Sequence, residues 1–153
     1  MSKHLIALML SLSFTAVAAA PKGKNLGDAQ KWKESEQQIN QTQTSAEKAC
    51  GEKITIAYDD KSFGTLTLDE AKPADTFCRD AYNALWGSVC KSPGGKEAVL
   101  AKVTAMTCRL STAGTNARLE GKTLVIEVDP KNKKIDGRDP GSLAWSEKIK
   151  SLL

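Results

Sequence analysis

CGEKITIAYDDKSFGTLTLDEAKPADTFCRDAYNALWGSVCKSPGGKEAVLAKVTAMTC, residues 50–108, is the stretch that decides the fold of this chain. It holds all four cysteines of the protein, which are Cys50, Cys78, Cys90 and Cys108. An even number of cysteines in an exported chain favours disulfides, and the lack of any C-x-x-C spacing argues against a zinc ribbon or a thioredoxin-like site. We therefore interpret the stretch as a disulfide-stapled core.

The chain begins with the features of a secretory signal peptide in residues 1–20. A short basic start precedes an apolar run that is too short to span a membrane comfortably, and small residues follow it. Cleavage after Ala18 is preferred over cleavage after Ala20, because the second cut would leave Pro21 at the new N-terminus. The mature protein is then expected to be secreted or periplasmic and to have no membrane span.

Residues 21–48 are predicted to form a polar helical leader or linker ahead of a domain over residues 49–153. The helix would carry one apolar residue per heptad, at Trp32, Ile39 and Ala46. One apolar position per heptad is half of a coiled-coil seam. A weakly packed leader is therefore favoured over a partner-binding or self-associating helix.

Alternating polar and apolar residues predict β-strands on both sides of a central helix. The first strand covers residues 53–58, and residues 64–69 form either a second strand or an extended loop. Residues 103–110 alternate again, and residues 118–129 follow as a strand interrupted at Gly121. Because a short glycine-containing connection joins the last two strands, we expect them to pair as an antiparallel hairpin.

The clearest element is the central helix, which is predicted over about residues 74–89. Arg79, Asp80 and Asn83 are expected to face water, while Trp86 lies at the edge of the apolar stripe. The stripe itself consists of residues at helical spacing on one face: Phe77, Cys78, Ala81, Tyr82, Leu85 and Val89.

A second helix is predicted at the C-terminus, over about residues 140–152, with Asp139 as its cap and Pro140 at its first position. Together these elements predict an α+β fold. A small antiparallel sheet of three to four strands would pack against the central and C-terminal helices, and two disulfides would staple the domain.

Four cysteines allow three pairings, and the predicted central helix removes one of them. Cys78 and Cys90 would lie about 18 Å apart along the helix, whereas a disulfide needs Cα atoms within about 7 Å. We prefer Cys50–Cys90 with Cys78–Cys108, because a helix antiparallel to the first strand brings its end to the start of that strand. The alternative, Cys50–Cys78 with Cys90–Cys108, is favoured if residues 64–69 form a full hairpin strand.

The composition excludes several chemistries. The only histidine is His4, which lies in the predicted signal peptide, so the mature chain offers no histidine base and no histidine metal ligand. Disulfide pairing would leave no free thiol, and the sequence has no phosphate-binding or dinucleotide-binding glycine pattern. A net charge of +4 with scattered basic residues argues against nucleic acid as a partner. No catalytic residue, metal or cofactor is therefore predicted.

The function expected from these observations is that of a small exported binding or interaction protein without enzymatic activity. Its partner is expected to be another exported protein. The candidate interaction surface comprises Asp59, Asp60, Phe63 and Trp86, together with the loop of residues 92–96.

The alternative is a carboxylate-based hydrolase, for example one that acts on glycans. Its acids would come from the 59–70 segment, which contains Asp59, Asp60, Asp69 and Glu70. Most glycosidases use two carboxyl groups about 5–10 Å apart, so such a pair in a cleft would support this hypothesis. Adjacent acids at a turn are more often turn residues, which favours the non-enzymatic protein.

Overall fold

The computed structural model describes residues 26–63 and 66–153. The predicted signal peptide and its cleavage site lie outside these residues. Residues Leu85–Val89 form a π-helical segment that directly continues the helix ending at Ala84. The helices and strands are α1 (Leu26–Cys50), β1 (Thr55–Tyr58), α2 (Asp60–Phe63), α3 (Leu68–Ala84), α4 (Gly95–Lys102), β2 (Ala105–Leu110), β3 (Asn116–Glu120), β4 (Thr123–Val128) and α5 (Ser142–Leu152).

The four strands form one mixed sheet in the order β1-β2-β4-β3. Strand β2 pairs in parallel with both β1 and β4, whereas β3 runs antiparallel to β4. The α+β class and the size of the sheet are confirmed, but the expectation of an antiparallel sheet is wrong. The connection between β1 and β2 runs through helices α2, α3 and α4. Such a crossover returns the chain to the end of the sheet at which β1 begins, so β2 runs parallel to β1.

The hairpin forms at a different place from the one expected. Residues 111–115 do not fold the chain back onto β2; they lead instead into β3, which turns back through Gly121 and Lys122. Glu120 and Thr123 are the last pair of this ladder, and Gly121 has a φ of +61°, as a two-residue hairpin turn requires. The interruption in the predicted strand is thus the turn itself, and β4 inserts between β2 and β3.

Helix α3 begins at Leu68, inside the 64–69 stretch that could have formed a strand. The amide of Ala71 donates to the carbonyl of Thr67 at 3.0 Å and closes the first turn. Pro73 lies in the second turn, where it removes one helical donor without ending the helix. The helix is therefore longer than predicted. Because residues 68 and 69 belong to it, residues 64–69 do not form the full strand that would have favoured the alternative disulfide pairing.

Two disulfides join Cys50 to Cys90 and Cys78 to Cys108, which confirms the preferred pairing. The Cα atoms lie 5.1 Å apart in the first and 5.9 Å apart in the second, as in ordinary disulfides. We call α3 together with its π-helical continuation the long helix. The first disulfide links the end of α1 to the end of the long helix, and the second links the long helix to β2. All four cysteines are buried.

Helix α1 packs on the domain although most of its residues are polar. Ile39 is 6 % exposed and Ala46 is fully buried, so these members of the predicted apolar stripe face the core of their own chain. Cys50 at the end of the helix is bonded to the long helix. The two stripe positions are therefore used within the molecule and are not open to self-association.

Helices α1, α3 and α5 pack on the same face of the sheet. Tyr58 of β1 reaches side chains of α1 and α3, and its strand partner Cys108 is bonded to α3. Trp145 and Ile149 of α5 are fully buried in the same core. The C-terminal helix is thus confirmed, although it begins at Ser142, two residues later than predicted.

Two glycines near the end of the long helix should respond oppositely to alanine. At Gly87, in the π-helical segment, a Cβ would meet no atom within 4 Å. We expect Gly87→Ala to raise the free energy of unfolding by about 0.5–1 kcal/mol, because alanine loses less backbone entropy on folding. At Gly95, a Cβ would lie 2.0 Å from the carbonyl oxygen of Val89, so Gly95→Ala should lower it by more than about 2 kcal/mol.

Urea denaturation measures both changes. The control is Gly94→Ala, because Gly94 has a φ of +71° but open space around it. Backbone strain alone should cost about 1–2 kcal/mol there. A Gly95→Ala variant that is as stable as the wild type would contradict the close approach to Val89.

The two disulfides should contribute similarly to stability. They span 40 and 30 residues, and the entropy lost by the unfolded chain depends only weakly on that length. We expect the double variants Cys50→Ala/Cys90→Ala and Cys78→Ala/Cys108→Ala each to lose about 3–4 kcal/mol of unfolding free energy. Urea denaturation gives the loss, with non-reducing peptide mapping as a check on the remaining bridge. A loss under about 1 kcal/mol for either pair would contradict this account.

Candidate binding groove

The surface residues predicted from the sequence do not form one patch. Phe63 is fully buried, and its ring centroid lies 5.0 Å from that of Tyr58, so it belongs to the core. Helix α2 turns its side chain inward, which the polar residues around it did not indicate. The half-buried Asp59 accepts the amide of Lys61 at 3.0 Å and thereby caps α2. The side chain of Asp60 lies outside the part that the structure describes.

Trp86 and the loop of residues 92–96 lie toward the opposite end of the fold from Asp59. The disulfide between Cys50 and Cys90 holds the end of the long helix near the start of β1, whereas Asp59 follows the end of β1. The predicted interaction surface is therefore divided between two ends of the molecule.

The four acids of the hydrolase hypothesis include two with described side chains. Asp59 caps α2, and Asp69 is exposed in the first turn of α3, where a carboxylate interacts favourably with the helix dipole. Both places suit an acid with a structural role. The hydrolase thus remains a prediction from the sequence, and neither environment favours it.

A buried carboxylate that the sequence did not single out lies between α1, β1 and α3. Asp75 is 4 % exposed, and one of its oxygens accepts hydrogen bonds from the hydroxyl groups of Tyr58 and, at 2.9 Å, Ser35. Its other oxygen lies 3.1 Å from Nη2 of Arg79, one helical turn further on. A buried charge needs both an ionic partner and hydrogen bonds, and Asp75 has both. The carboxylate therefore joins three elements of the fold.

Both tyrosines are held in their protonated form by burial. Tyr58 and Tyr82 are 7 % and 0 % exposed, and desolvation raises the pKa of each phenol above its usual value. The charge of Asp75 raises both pKa values further, because it repels a phenolate. The Tyr82 hydroxyl donates to the carbonyl of Ala57 at 3.1 Å, and the Tyr58 hydroxyl donates to Asp75, so each phenol donates its proton in a hydrogen bond.

Beside this network, an open surface groove of about 540 Å³ runs between α1 and the long helix. Eight of its nine lining side chains are polar or charged, and the ninth is an indole ring. On each helix these side chains recur at intervals of three and four residues, so each helix contributes one face as a wall. The lining residues are Gln38, Gln41, Thr42 and Ser45 of α1 with Thr76, Arg79, Asp80, Asn83 and Trp86 of the long helix.

Three polar residues of the long helix were expected to face water, and this holds for one of them, while the other two are half-buried toward α1. Arg79 and Asp80 are half-buried, and Asn83 is exposed at the groove. Nη1 of Arg79 donates to the side-chain oxygen of Gln38 at 2.6 Å and so bridges the two helices. Burial raises the pKa of Asp80, although the charge of Arg79 acts in the opposite direction. The expectation is confirmed for Asn83 and wrong for Arg79 and Asp80, because the docking of α1 cannot be inferred from the long helix alone.

The walls of the groove keep hydrogen-bonding capacity that the protein does not use. The side chains of Gln41, Asp80 and Asn83 form no hydrogen bond or salt bridge with any described residue. Thr42 and Ser45 donate to backbone carbonyls one turn earlier in α1, at 2.9 Å and 3.0 Å, and their oxygens can still accept. The groove therefore presents three carboxamides, of which that of Gln38 has its oxygen already used by Arg79, together with a carboxylate and several hydroxyl oxygens.

Trp86 lies at the end of the groove that is nearest to the Cys50–Cys90 disulfide. Its ring is half-buried, and the ammonium group of Lys91 lies 5.5 Å from the ring centroid. The indole Nε1 is itself buried and has no acceptor among the described residues. A molecule in the groove would therefore contact the ring of Trp86 and not its N–H group.

A second cavity, of about 690 Å³, opens where β2 and β4 end. The carboxyl ends of parallel strands often bind ligands. Here, however, the amide of Ser111 donates to Val128 at 2.9 Å, and Asp129 accepts the amide of Lys131 at 2.8 Å. These polar groups stabilise their own loops, so the groove between α1 and α3 is the better candidate. The cavity is lined by Leu110, Ser111, Thr112, Asp129, Pro130 and Lys131.

Sequence reasoning missed the buried network for identifiable reasons. The spacing of Asp75 and Arg79 by four residues was a readable signal of an ion pair on a helix. Ser35 precedes Ile39 by one helical turn, so it shares the apolar side of α1. No local pattern indicates that Tyr58 lies opposite them.

Among residues 26–63 and 66–153, no cluster of three or more histidine, cysteine, aspartate or glutamate side chains could hold a metal ion. The helices in these same ranges include none that is long and apolar enough to cross a membrane. Comparison with protein-family models, with curated proteins and with solved structures finds no match to this chain. The chemistry of the groove therefore carries the functional inference.

The two tyrosines should destabilise the fold at alkaline pH. Their folded pKa values are raised, so their contribution to stability is complete below about pH 10 and is lost as the pH rises above that value. Tyr58 and Tyr82 are the only tyrosines in the chain. The free energy of unfolding should therefore fall by up to about 2.7 kcal/mol per pH unit above pH 10, from these two groups together.

Urea denaturation across this pH range measures the slope, and ultraviolet absorbance detects tyrosinate. Tyr58→Phe is the control, because it should reduce the slope by about half. Tyrosinate that forms near pH 10 while the protein is still folded would contradict the assigned burial of the phenols.

Proposed function

We propose that the protein is an exported binding protein without enzymatic activity and that the groove between α1 and α3 is its contact surface. The signal peptide predicted in residues 1–20 supports export. The two disulfides fit an oxidising compartment, which for an exported chain is the extracellular space or the periplasm.

The observation that carries this proposal is the unused hydrogen-bonding capacity of the groove. Gln41 on one wall and Asp80 and Asn83 on the other are polar groups with no protein partner among the described residues. The disulfide between Cys50 and Cys90 fixes the two walls relative to each other. Binding between two walls whose backbones are held in place has a lower entropic cost than binding between walls that must first be brought together.

A binding role also agrees with the reactive groups that the chain offers. All four cysteines are in disulfides, and the one histidine is His4, in the predicted signal peptide. Asp80 is the single acid among the described residues that line the groove, whereas most glycosidases use a pair.

A photoreactive diazirine amino acid at position 83 should capture the partner. The oxidised mature protein is returned to the extracellular or periplasmic fraction of its source cells and irradiated, and mass spectrometry of the intact protein records adducts. We expect adducts from the probe in place of Asn83. The matched control is a probe in place of Asn40, an exposed residue of α1 that does not line the groove.

A third probe, in place of Thr112, tests the cavity at the strand ends. Adducts from position 112 with none from position 83 would place the contact surface at that cavity. Equal adduct formation at positions 83, 40 and 112 would show non-specific contact. Either result would overturn the assignment of the groove.

A further inference from the structure

We infer that the ligand of this groove is an oligosaccharide, an inference that rests on the binding role proposed above. The groove has polar side chains along both walls, so its ligand must be polar along its own length. It must also offer donors and acceptors on neighbouring atoms. The hydroxyl groups of a sugar ring meet both conditions, because each hydroxyl can donate one hydrogen bond and accept others.

The unused groups of the walls require a ligand that donates. The carboxamides of Gln41 and Asn83 offer donors and acceptors, and that of Gln38 keeps the N–H groups of its amide. Asp80 offers acceptors alone, as does Thr76, whose hydroxyl donates to the carbonyl of Lys72. The hydroxyl protons of Thr42 and Ser45 are already used within α1, which leaves only their oxygens to accept. Acceptors thus outnumber donors, and Asp80 is partly desolvated without a hydrogen bond from any described residue. Sugar hydroxyls supply the missing donors.

Anionic ligands fit this groove less well. The phosphate groups of a phosphorylated ligand or of a nucleic acid offer acceptors only, and Asp80 would repel them. The guanidinium of Arg79, the one cation among the described lining residues, already binds Gln38 through Nη1 and Asp75 through Nη2.

Peptides also fit less well. A helical peptide binds a groove through apolar anchors at helical spacing, and tight protein contacts centre on buried apolar or aromatic pockets. The described lining of this groove has one such side chain, Trp86. A peptide would therefore have to gain nearly all of its affinity from hydrogen bonds to the carboxamides and the carboxylate.

The size of the groove and the position of Trp86 agree with a short oligosaccharide. Its volume of about 540 Å³ falls within the range of about 300–1,000 Å³ that is usual for small-molecule sites. The C–H groups of a sugar can pack on the exposed part of the indole ring. Lys91 already lies over this ring, so hydrogen bonds must supply most of the affinity.

Titration of the isotope-labelled, oxidised mature protein followed by nuclear magnetic resonance tests the inference. The probes are an N-acetylglucosamine tetramer, a maltose-type oligomer and a cellulose-type oligomer, each up to about 10 mM, a concentration that detects millimolar dissociation constants. We expect at least one sugar to produce saturable shifts of the side-chain amides of Gln41 and Asn83 and of the backbone amide of Trp86.

Asn83→Ala should raise the dissociation constant about two- to tenfold, the equivalent of one neutral hydrogen bond. The matched control Asn40→Ala should leave it unchanged, because Asn40 is exposed on α1 outside the groove. Gln41→Ala gives an independent loss from the opposite wall. Asn83 and Gln41 are both exposed, so neither variant removes core packing.

Absence of saturable shifts in the groove with all three sugars would overturn the oligosaccharide assignment, as would unchanged affinity in both groove variants. The binding role would survive that result if the probe at position 83 still captured an adduct and its mass identified a peptide or protein. If position 83 captured nothing as well, both proposals would fail together.

Discussion

The long helix formed by α3 and its π-helical extension is fixed covalently at its middle and at its C-terminal end, and the other elements are arranged around this constraint. Cys78 binds it to β2, and Cys90 binds it to the end of α1. The first bond holds the helix against one face of the sheet, while the second holds α1 beside it. Both links restrict the unfolded chain, so they stabilise an arrangement that the thin apolar stripe of α1 could not maintain alone.

The position of α1 also depends on a buried charge at the other end of its contact with the long helix. Ser35 lies at Asp75, and Cys50 is bonded to Cys90, so the two helices run in the same direction. The hydroxyl of Ser35 donates to this buried carboxylate, and a hydrogen bond to a charged group contributes about 1.5–3 kcal/mol. Because a disulfide holds the two helices together at one end of their contact and a hydrogen bond to a charged group does so at the other, the residues between them do not need to be apolar. That is why a polar groove can persist between two packed helices.

The features that could be predicted from the sequence are those that depend on local periodicity or on fixed distances. The apolar spacing predicted the long helix, and its length alone excluded a bridge between Cys78 and Cys90, which is how the observed pairing could be preferred. The strand directions could not be predicted in the same way. Gly114 and Gly121 both occur in possible turns, and only the pairing of whole strands shows that the second one forms the hairpin. The start of α3 was misplaced because Pro73 usually marks a boundary, yet one lost donor in the second turn is tolerated when the rest of the helix is well packed.

The groove could not be predicted from the sequence, because its two walls lie about 40 positions apart in the chain, as the contact between Gln38 and Arg79 shows. Each wall taken alone is a polar helix face, and such a face usually meets water. Packing the two faces together desolvates part of each. Protein groups replace the lost water at Nη1 and Nη2 of Arg79, whereas Nε of Arg79 and the carboxylate of Asp80 have no hydrogen bond to a described residue. The partial burial of Asp80 lowers the stability of the fold, and the nearby charge of Arg79 offsets only part of that cost. Such an arrangement is explained more readily by selection for binding a hydrogen-bond donor than by selection for stability.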